Sequence, residues 1–561
     1  MGTGSLGAKA HGLASIKEIL KSKIAPSFEP IIKFDIPRLT VIATDFFDLF
    51  MEQNNLFEII CAELDDVQIA LAFQRAELPG QLIDDLRVFI AQVRYPLAIR
   101  SSSLLEDSMH EPFAGVYATK MIPNNQPDPE DRLRKLAGAI KFIYASTYFK
   151  KAKDYLRATK HSCKDEKMAV IIQEMAGTCR NNRFYPHISG VARSFNFYPM
   201  GLSLPENGVV DLALGLGKII VDNGLSWSFS PAYPHTNPPY NSLRDLLKQT
   251  QNDFWAIDMS ESGEFRPVDE TEYLKKYALA EAEKDGTMTF IASTFKAEDE
   301  RISMGISEPG PRILDFAPIL KADLIPLANL LKDSLRICEE ALHTMVEIEF
   351  AVNLSDDPGK PHEFAFLQMR PLVLGSELQE IEIENVDLQN ALCVSNKALG
   401  NGFIRNVYDL VYVRKEQFDR ARTIKIAEEL GNINAMLKQQ KRPYLLIGPR
   451  RWGSADPWLG IPVKWAQISA ARCIIETGFE DMQVDPSQGS HFFQNIMSFG
   501  IGYFTIDLHM KTKDYLDTSW LNLQPAETET EYLRHIAFKD PLHIALNGRK
   551  NLGVVMKPSQ Q

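Results

Sequence analysis

Two segments near the middle of the chain, VEIEFAV (346–352) and FAFLQMRP (364–371), carry polar side chains in a pattern that suits phosphate chemistry. Alternation along a strand puts Glu347 and Glu349 on one face and Ile348, Phe350 and Val352 on the other. In the second segment Gln368 and Arg370 share a face, with Leu367 and Met369 opposite. The intervening LSDDPGKPHE reads as the turn of a hairpin, so a carboxylate, an amide oxygen and a guanidinium can converge across it. Glu349 and Gln368 offer hard oxygen ligands of the kind Mg²⁺ takes alongside substrate phosphates, and Arg370 offers a planar donor fork. A solvated face with ordinary ion pairs is the other reading of the same residues.

A second cluster lies in YPLAIRSSSLLEDSMHEPFAGVYAT (95–119). An apolar strand runs into Arg100 and three serines, followed by Glu106, Asp107 and the turn Phe113-Ala114-Gly115. Arginine, hydroxyls and backbone amides at a strand end make a phosphate cradle. GTGSLG (2–7) is formally GxGxxG, but no strand precedes it, and Ala8 stands where a P-loop would have lysine. What survives is a Gly-rich turn that presents Lys9. In PSQGSHFFQN (486–495), His491 is a packing residue, a metal ligand or a group carrier. No second His or Cys stands at ligand spacing from it. Arg450-Arg451 before Trp452-Gly453-Ser454 forms either a phosphate-binding turn or a surface turn, while His509, His535 and His543 show no evident partners.

The elements that must hold these residues are legible as patterns. Residues 12–22 and 43–54 read as helices, with Thr44 and Asp45 as caps, and 318–345 as a further helix. YPLAIR (95–100) and KMAVIIQEM (167–175) read as buried strands. SELQEIEIENV (376–386) is acidic without core periodicity, which sets domains at 1–375 and 396–561 joined by a linker, 376–395. The second domain mixes strands such as YLLIGP and YFTIDL with helices and reads as α/β.

Bulk properties narrow the class. A chain of 561 residues exceeds one ordinary core. A hydrophobic content of 45% with 24% charged residues is that of a globular protein. No apolar run approaches a bilayer span, so no membrane partner is expected. The formal charge of −12 argues against general nucleic-acid binding. Six cysteines without CxxC spacing favour reduced thiols and a cytoplasmic location.

The motifs taken in order resemble the ATP-grasp nucleotide-binding domain of phosphoenolpyruvate synthase, pyruvate phosphate dikinase and rifampicin phosphotransferase. They are GAKAHGL (7–13), IPRLTVIATDFFDLF (36–50), AIRSSSLLED (98–107), FAGVYAT (113–119) and MAVIIQEM (168–175). SGVARS (189–194), ALGLG (213–217), EIEFAV (347–352) and FAFLQMRP (364–371) continue the series. The resemblance implies a mixed α+β fold with a two-lobed ATP-grasp domain, and ATP and Mg²⁺ as substrate and cofactor. It implies that Lys9 and Arg100 contact the phosphates, with Thr119 beside them, and that Gln173, Glu174 and Met175 border the adenine. Glu349 and Gln368 would bind Mg²⁺, and Arg370 would stabilise the transferring phosphoryl group. Lys218 and Ala118 stand where the family has acidic residues. Lys9 lies so near the first residue that a preceding segment outside this chain is expected.

Residues 444–476 and QGSHFFQNIMSFGIGYFTI (488–506) are similar, with departures, to the swivelling phosphohistidine domain of the same family. ALGNGFIRNVYDLVYV (398–413) is similar to that domain's opening strand. Pro486, Ser487, Gly489, Phe492 and Phe493 depart from the family's GGxTSHAA pattern. That resemblance implies His491 as a carrier passing phosphate to an acceptor whose identity stays open. About 55 residues follow residue 506, far short of the roughly 250 of a pyruvate-binding barrel, so none is expected in this chain. A direct small-molecule kinase with a structural His491, and a non-catalytic nucleotide-binding regulator, remain as alternatives.

Overall fold

The computed structural model describes the chain apart from residues 62–63, 104–116, 159–165, 197–201, 223, 237–242, 244–245, 248–249, 261–265, 373–389, 400, 450, 455–459, 479–500, 507–513, 548–549 and 559–561. His491, Glu106, Asp107 and the 113–115 turn therefore lie outside the described residues. The fold is mixed α+β, and it divides into two compact units. The first comprises Met1–Phe195, Met200–Ile220 and Leu225–Leu372; the second comprises Asn196–Pro199, Val221–Gly224 and Val373–Gln561.

Two sheets organise the first unit. One has four antiparallel strands in the order Leu39–Ile42, Met168–Glu174, Leu97–Ser103, Thr119–Ile122. Its central strand, MAVIIQE, is buried through Gln173, as a run of apolar residues covered on both faces must be. Helices Thr44–Gln53, Asp66–Arg75 and Pro129–Ser146 enclose it, and Phe47, Phe50, Phe73, Tyr144 and Tyr148 form an aromatic core there. The second sheet has six strands in the order Ile32–Asp35, His362–Pro371, Val346–Asn353, Ile188–Arg193, Val209–Ala213, Trp227–Phe229. Its apolar face stacks Phe34, Phe350 and Phe364, with neighbouring centroids 5.4 and 5.1 Å apart. Helix Gly7–Lys23 packs against both Leu97–Ser103 and His362–Pro371, burying Leu13, Ile16 and Leu20 in the larger core. A single helix thus fixes the two sheets relative to each other.

Three expectations need correction here. The helix expected over 318–345 is two helices, Ala317–Leu320 and Leu327–Leu342; Asp323 in the turn between them has φ +52°, and Pro326 stands at the N-cap of the second, where no N–H is needed. Helix Thr44–Gln53 is preceded by Ala43, with no side-chain cap. Asp45 instead accepts hydrogen bonds from the backbone and hydroxyl of Thr3, tying down the N-terminal segment. The linker expected to reach residue 395 ends earlier, since ALCVS (391–395) is a buried strand.

The second unit is built on a ten-stranded sheet. Asn401–Val413, Tyr444–Pro449, Ala471–Thr477 and Gly502–Ile506 are neighbours and run parallel, with helix Thr423–Gln439 crossing between the first two. Leu533–Asn547, Leu552–Met556 and Ala391–Ser395 extend the sheet in antiparallel fashion. The inner parallel strands carry short apolar runs, LLI and CII, because both faces are covered.

Candidate active site

Arg100 leaves the four-stranded sheet and meets the six-stranded one. Its Nη2 donates to Glu349 Oε2 at 2.8 Å and also to Gln368 Oε1, and its Nη1 donates to Gln173 Oε1 at 3.4 Å. Glu349 and Gln368 face each other across the hairpin, as do Glu347 and Arg370, so the four residues share one sheet face. The register slips between Glu349 and Phe350, which turns the hairpin just past the polar pairs. Burial pushes the Glu349 carboxyl up. Arg100, Arg370 and Lys9 pull it down more strongly, and the net pKa lies below the ordinary carboxylate range. Glu349 is therefore an anion whose counter-charges are side chains on three different elements.

Lys9 arrives from the first turn of helix Gly7–Lys23, its Nζ 3.4 Å from Ser101 Oγ. Ser102 locks that turn in place: its Oγ donates to the Leu6 carbonyl at 2.9 Å and accepts from the Ala10 N–H at 3.2 Å. Gly7 has φ +75°, and a Cβ added there would lie 1.7 Å from the Ser102 carbonyl oxygen. Only glycine lets the chain pass so close to the Arg100 strand. The surviving role of the GTGSLG motif is this close approach.

Thr119 is the cross-strand partner of Arg100, and its N–H donates to Glu270 Oε1 at 3.1 Å. The next residue, Lys120, is buried and donates to the carbonyls of Arg266, Pro267 and Asp269 while pairing with Glu272 at 2.8 Å. Burial lowers its pKa despite Glu272. Lys120 thereby pins the 266–272 segment beside Thr119. The Gln173 side chain is buried and turned toward Arg100. Glu174 pairs with Arg38 at 3.4 Å, and the Met175 N–H donates to the Pro96 carbonyl at 2.9 Å. Lys9, Arg100, Gln173, Glu349 and Gln368 are thus gathered at one place, with Arg370 on the same sheet face and Thr119 beside Arg100.

The oxygen pair fits a divalent cation. A single cationic nitrogen, Arg100 Nη2, already bridges a carboxylate oxygen and an amide oxygen, which is the environment a hard cation takes. A sequence model of the pyruvate phosphate dikinase AMP/ATP-binding domain matches residues 3–390. The chain belongs to this family. It is an ATP-binding protein of the phosphoenolpyruvate synthase and pyruvate phosphate dikinase type.

Beside these residues lies a row of buried charges that periodicity alone did not assign. Glu347 Oε1 accepts from Arg370 Nη2, and Glu347 Oε2 accepts from Arg193 Nε at 2.7 Å. Arg193 Nη1 donates to Asp211 Oδ2 at 2.8 Å, and Asp211 Oδ1 accepts from Ser228 Oγ. The signal for this row was the arginine in SGVARS and the aspartate in VVDLA, charged residues within otherwise buried strands.

In the second unit His535 does have partners. It is fully buried with its Nε2 2.7 Å from Asp409 Oδ1. Arg442 donates to both oxygens of Asp409, at 3.0 and 2.6 Å, and to Glu527. The Trp452 N–H donates to Glu476 Oε1 at 3.0 Å, which joins the 451–454 turn to the neighbouring parallel strand.

Proposed function

We propose that the chain is an ATP-dependent phosphotransferase that binds Mg-ATP against Lys9, Arg100, Thr119, Gln173, Glu174 and Met175. In this reading Glu349 and Gln368 hold Mg²⁺, and Arg370 stabilises the phosphoryl group in transit. The observation that carries the reading is Arg100 bridging Glu349 and Gln368 from the opposite sheet. When phosphate enters, Arg100 exchanges these acceptors for phosphate oxygens and frees the carboxylate and amide for the cation. Mg²⁺ held there supplies charge neutralisation to the phosphates. Lys9 and Arg100 bring two further positive charges on separate elements, so the polyphosphate is fixed in orientation as well as neutralised.

His491 is proposed as the group that receives the phosphoryl and carries it to an acceptor. This part of the reading rests on the sequence resemblance of residues 488–506 alone. The test is incubation with Mg²⁺ and ATP labelled at the β- or γ-phosphate, on wild type and His491→Ala. An acid-labile, base-stable label on wild type alone supports the carrier. An unlabelled protein that still consumes ATP makes the reaction a direct transfer to a small molecule, with His491 structural. ATP binding with no consumption makes the chain a nucleotide-responsive regulator.

A further inference from the structure

The row of buried charges beside the site has a member with no place in the proposed transfer, Arg193. Strand register sets Arg370, Glu347 and Arg193 side by side on three neighbouring strands of the six-stranded sheet. Asp211 lies diagonally from Arg193 on the next strand and directly opposite Ser228. Arg193, Glu347, Asp211 and Arg370 are each less than a tenth exposed.

An arginine facing a lone carboxylate closes into two parallel N–H···O bonds. Glu347 does not hold Arg370 in that way: Arg370 Nη2 donates to one of its oxygens, and Arg193 Nε donates to the other at 2.7 Å, which draws that oxygen toward the neighbouring strand. Arg193 also stands between two carboxylates, Glu347 and Asp211, and pairs with both, so each has a buried counter-charge. With it the row holds two guanidinium groups and two carboxylates. Without it one carboxylate must take a proton or draw Arg370 fully onto itself.

We infer that Arg193 is a positioning residue for Arg370: by occupying one oxygen of Glu347, it limits Glu347 to a one-point hold and keeps the Arg370 guanidinium presented to phosphate. The inference rests on the phosphotransferase reading above and adds a residue that never meets the substrate. It differs from a purely structural ion pair in one respect. A structural pair is replaceable by anything that restores charge balance, whereas the second oxygen of Glu347 needs a donor.

The test compares wild type, Arg193→Met and the double variant Arg193→Met/Asp211→Asn, which restores charge balance without giving Glu347 a second partner. Melting temperature, affinity for Mg²⁺ with a non-hydrolysable ATP analogue, and the single-turnover rate of ATP consumption are measured on each. Arg193→Met is expected to lose about tenfold or more in rate while nucleotide affinity stays within about threefold. The double variant is expected to regain the melting temperature but not the rate. The inference is overturned if Arg193→Met turns over like wild type, or if rate and melting temperature recover together in the double variant. A wild type that binds ATP without consuming it overturns the phosphotransferase reading instead, and this inference with it.

Discussion

Replacing Arg100 by alanine separates two consequences of its position that have opposite signs. In the structure the guanidinium sits on Glu349 and Gln368, the oxygens proposed for Mg²⁺. With nucleotide bound it would sit on phosphate. Two charge-assisted hydrogen bonds to phosphate are worth about 3–6 kcal/mol. Against this stands the Arg100–Glu349 contact given up on binding. Those side chains are 13% and 22% exposed, so the pair falls between the buried and surface limits, about 1–3 kcal/mol. Taking the middle of each range, the net loss in Arg100→Ala is about 2.5 kcal/mol, or about 70-fold weaker binding of Mg²⁺ with a non-hydrolysable ATP analogue. A bare cation sees the reverse, because the variant removes a positive charge from directly over its ligands. Screened by partial exposure, that repulsion is about 1–2 kcal/mol, so Mn²⁺ without nucleotide should bind about 5- to 30-fold more tightly. Calorimetry gives the first affinity, and the paramagnetic resonance of free Mn²⁺ gives the second. Nucleotide and metal affinities that fall together, or an unchanged Mn²⁺ affinity, would refute the idea that Arg100 stands over the cation ligands.

Two further predictions concern stability. Asp409→Ala leaves buried His535 and partly exposed Arg442 without their shared anion, and should destabilise the second unit by about 2–4 kcal/mol, read as a lowered thermal transition. His187 is buried, its Nδ1 accepting from the Leu354 N–H at 3.2 Å. Burial, with Arg180 nearby, pushes its pKa down from 6.5 to about 4. The unfolded chain therefore binds this proton more tightly than the folded one, and the stability at neutral pH is lost as pH falls from 6.5 toward 4. Between pH 7 and pH 5 the contribution of this group should drop by about 2 kcal/mol in denaturant titrations, and His187→Asn should flatten that dependence.

The parts of the site legible in sequence are those that follow from alternation within one strand. Glu347 with Glu349, and Gln368 with Arg370, fall on common faces because side chains alternate with period two, and the PGK turn sets the hairpin register. Arg193, Asp211 and Ser228 were not legible as a group, since which strand lies beside which is a property of the sheet order and not of any single segment. His535 was missed for the same reason: its partner Asp409 lies 126 residues away on a neighbouring strand. The helix break before Leu327 was readable from Pro326 and was overridden by the apolar spacing around it. ALCVS was absorbed into a linker because the acidic run before it dominated the composition. His491 lies outside the described residues and rests on sequence resemblance alone.

The arrangement also explains why nucleotide and metal should act on each other. The four-stranded sheet supplies Arg100 and the serines that seat helix Gly7–Lys23, and the six-stranded sheet supplies Glu349, Gln368 and Arg370. In the structure the positive charge of one sheet satisfies the negative charge of the other, so neither surface is left as an uncompensated buried charge. In the proposed site phosphate and cation would enter as a pair: phosphate would draw Arg100 away, and Glu349 and Gln368 would then be free to hold the cation. Either alone leaves one partner unmatched, so affinity for one must rise with occupancy by the other, by the same factor in both directions. Arg193, between Glu347 and Asp211 in the same row of charges, would limit how far Arg370 can follow Glu347 during that exchange. On this account the six-stranded sheet is more than a scaffold for the site, because the order of its strands determines which charges can move when phosphate arrives.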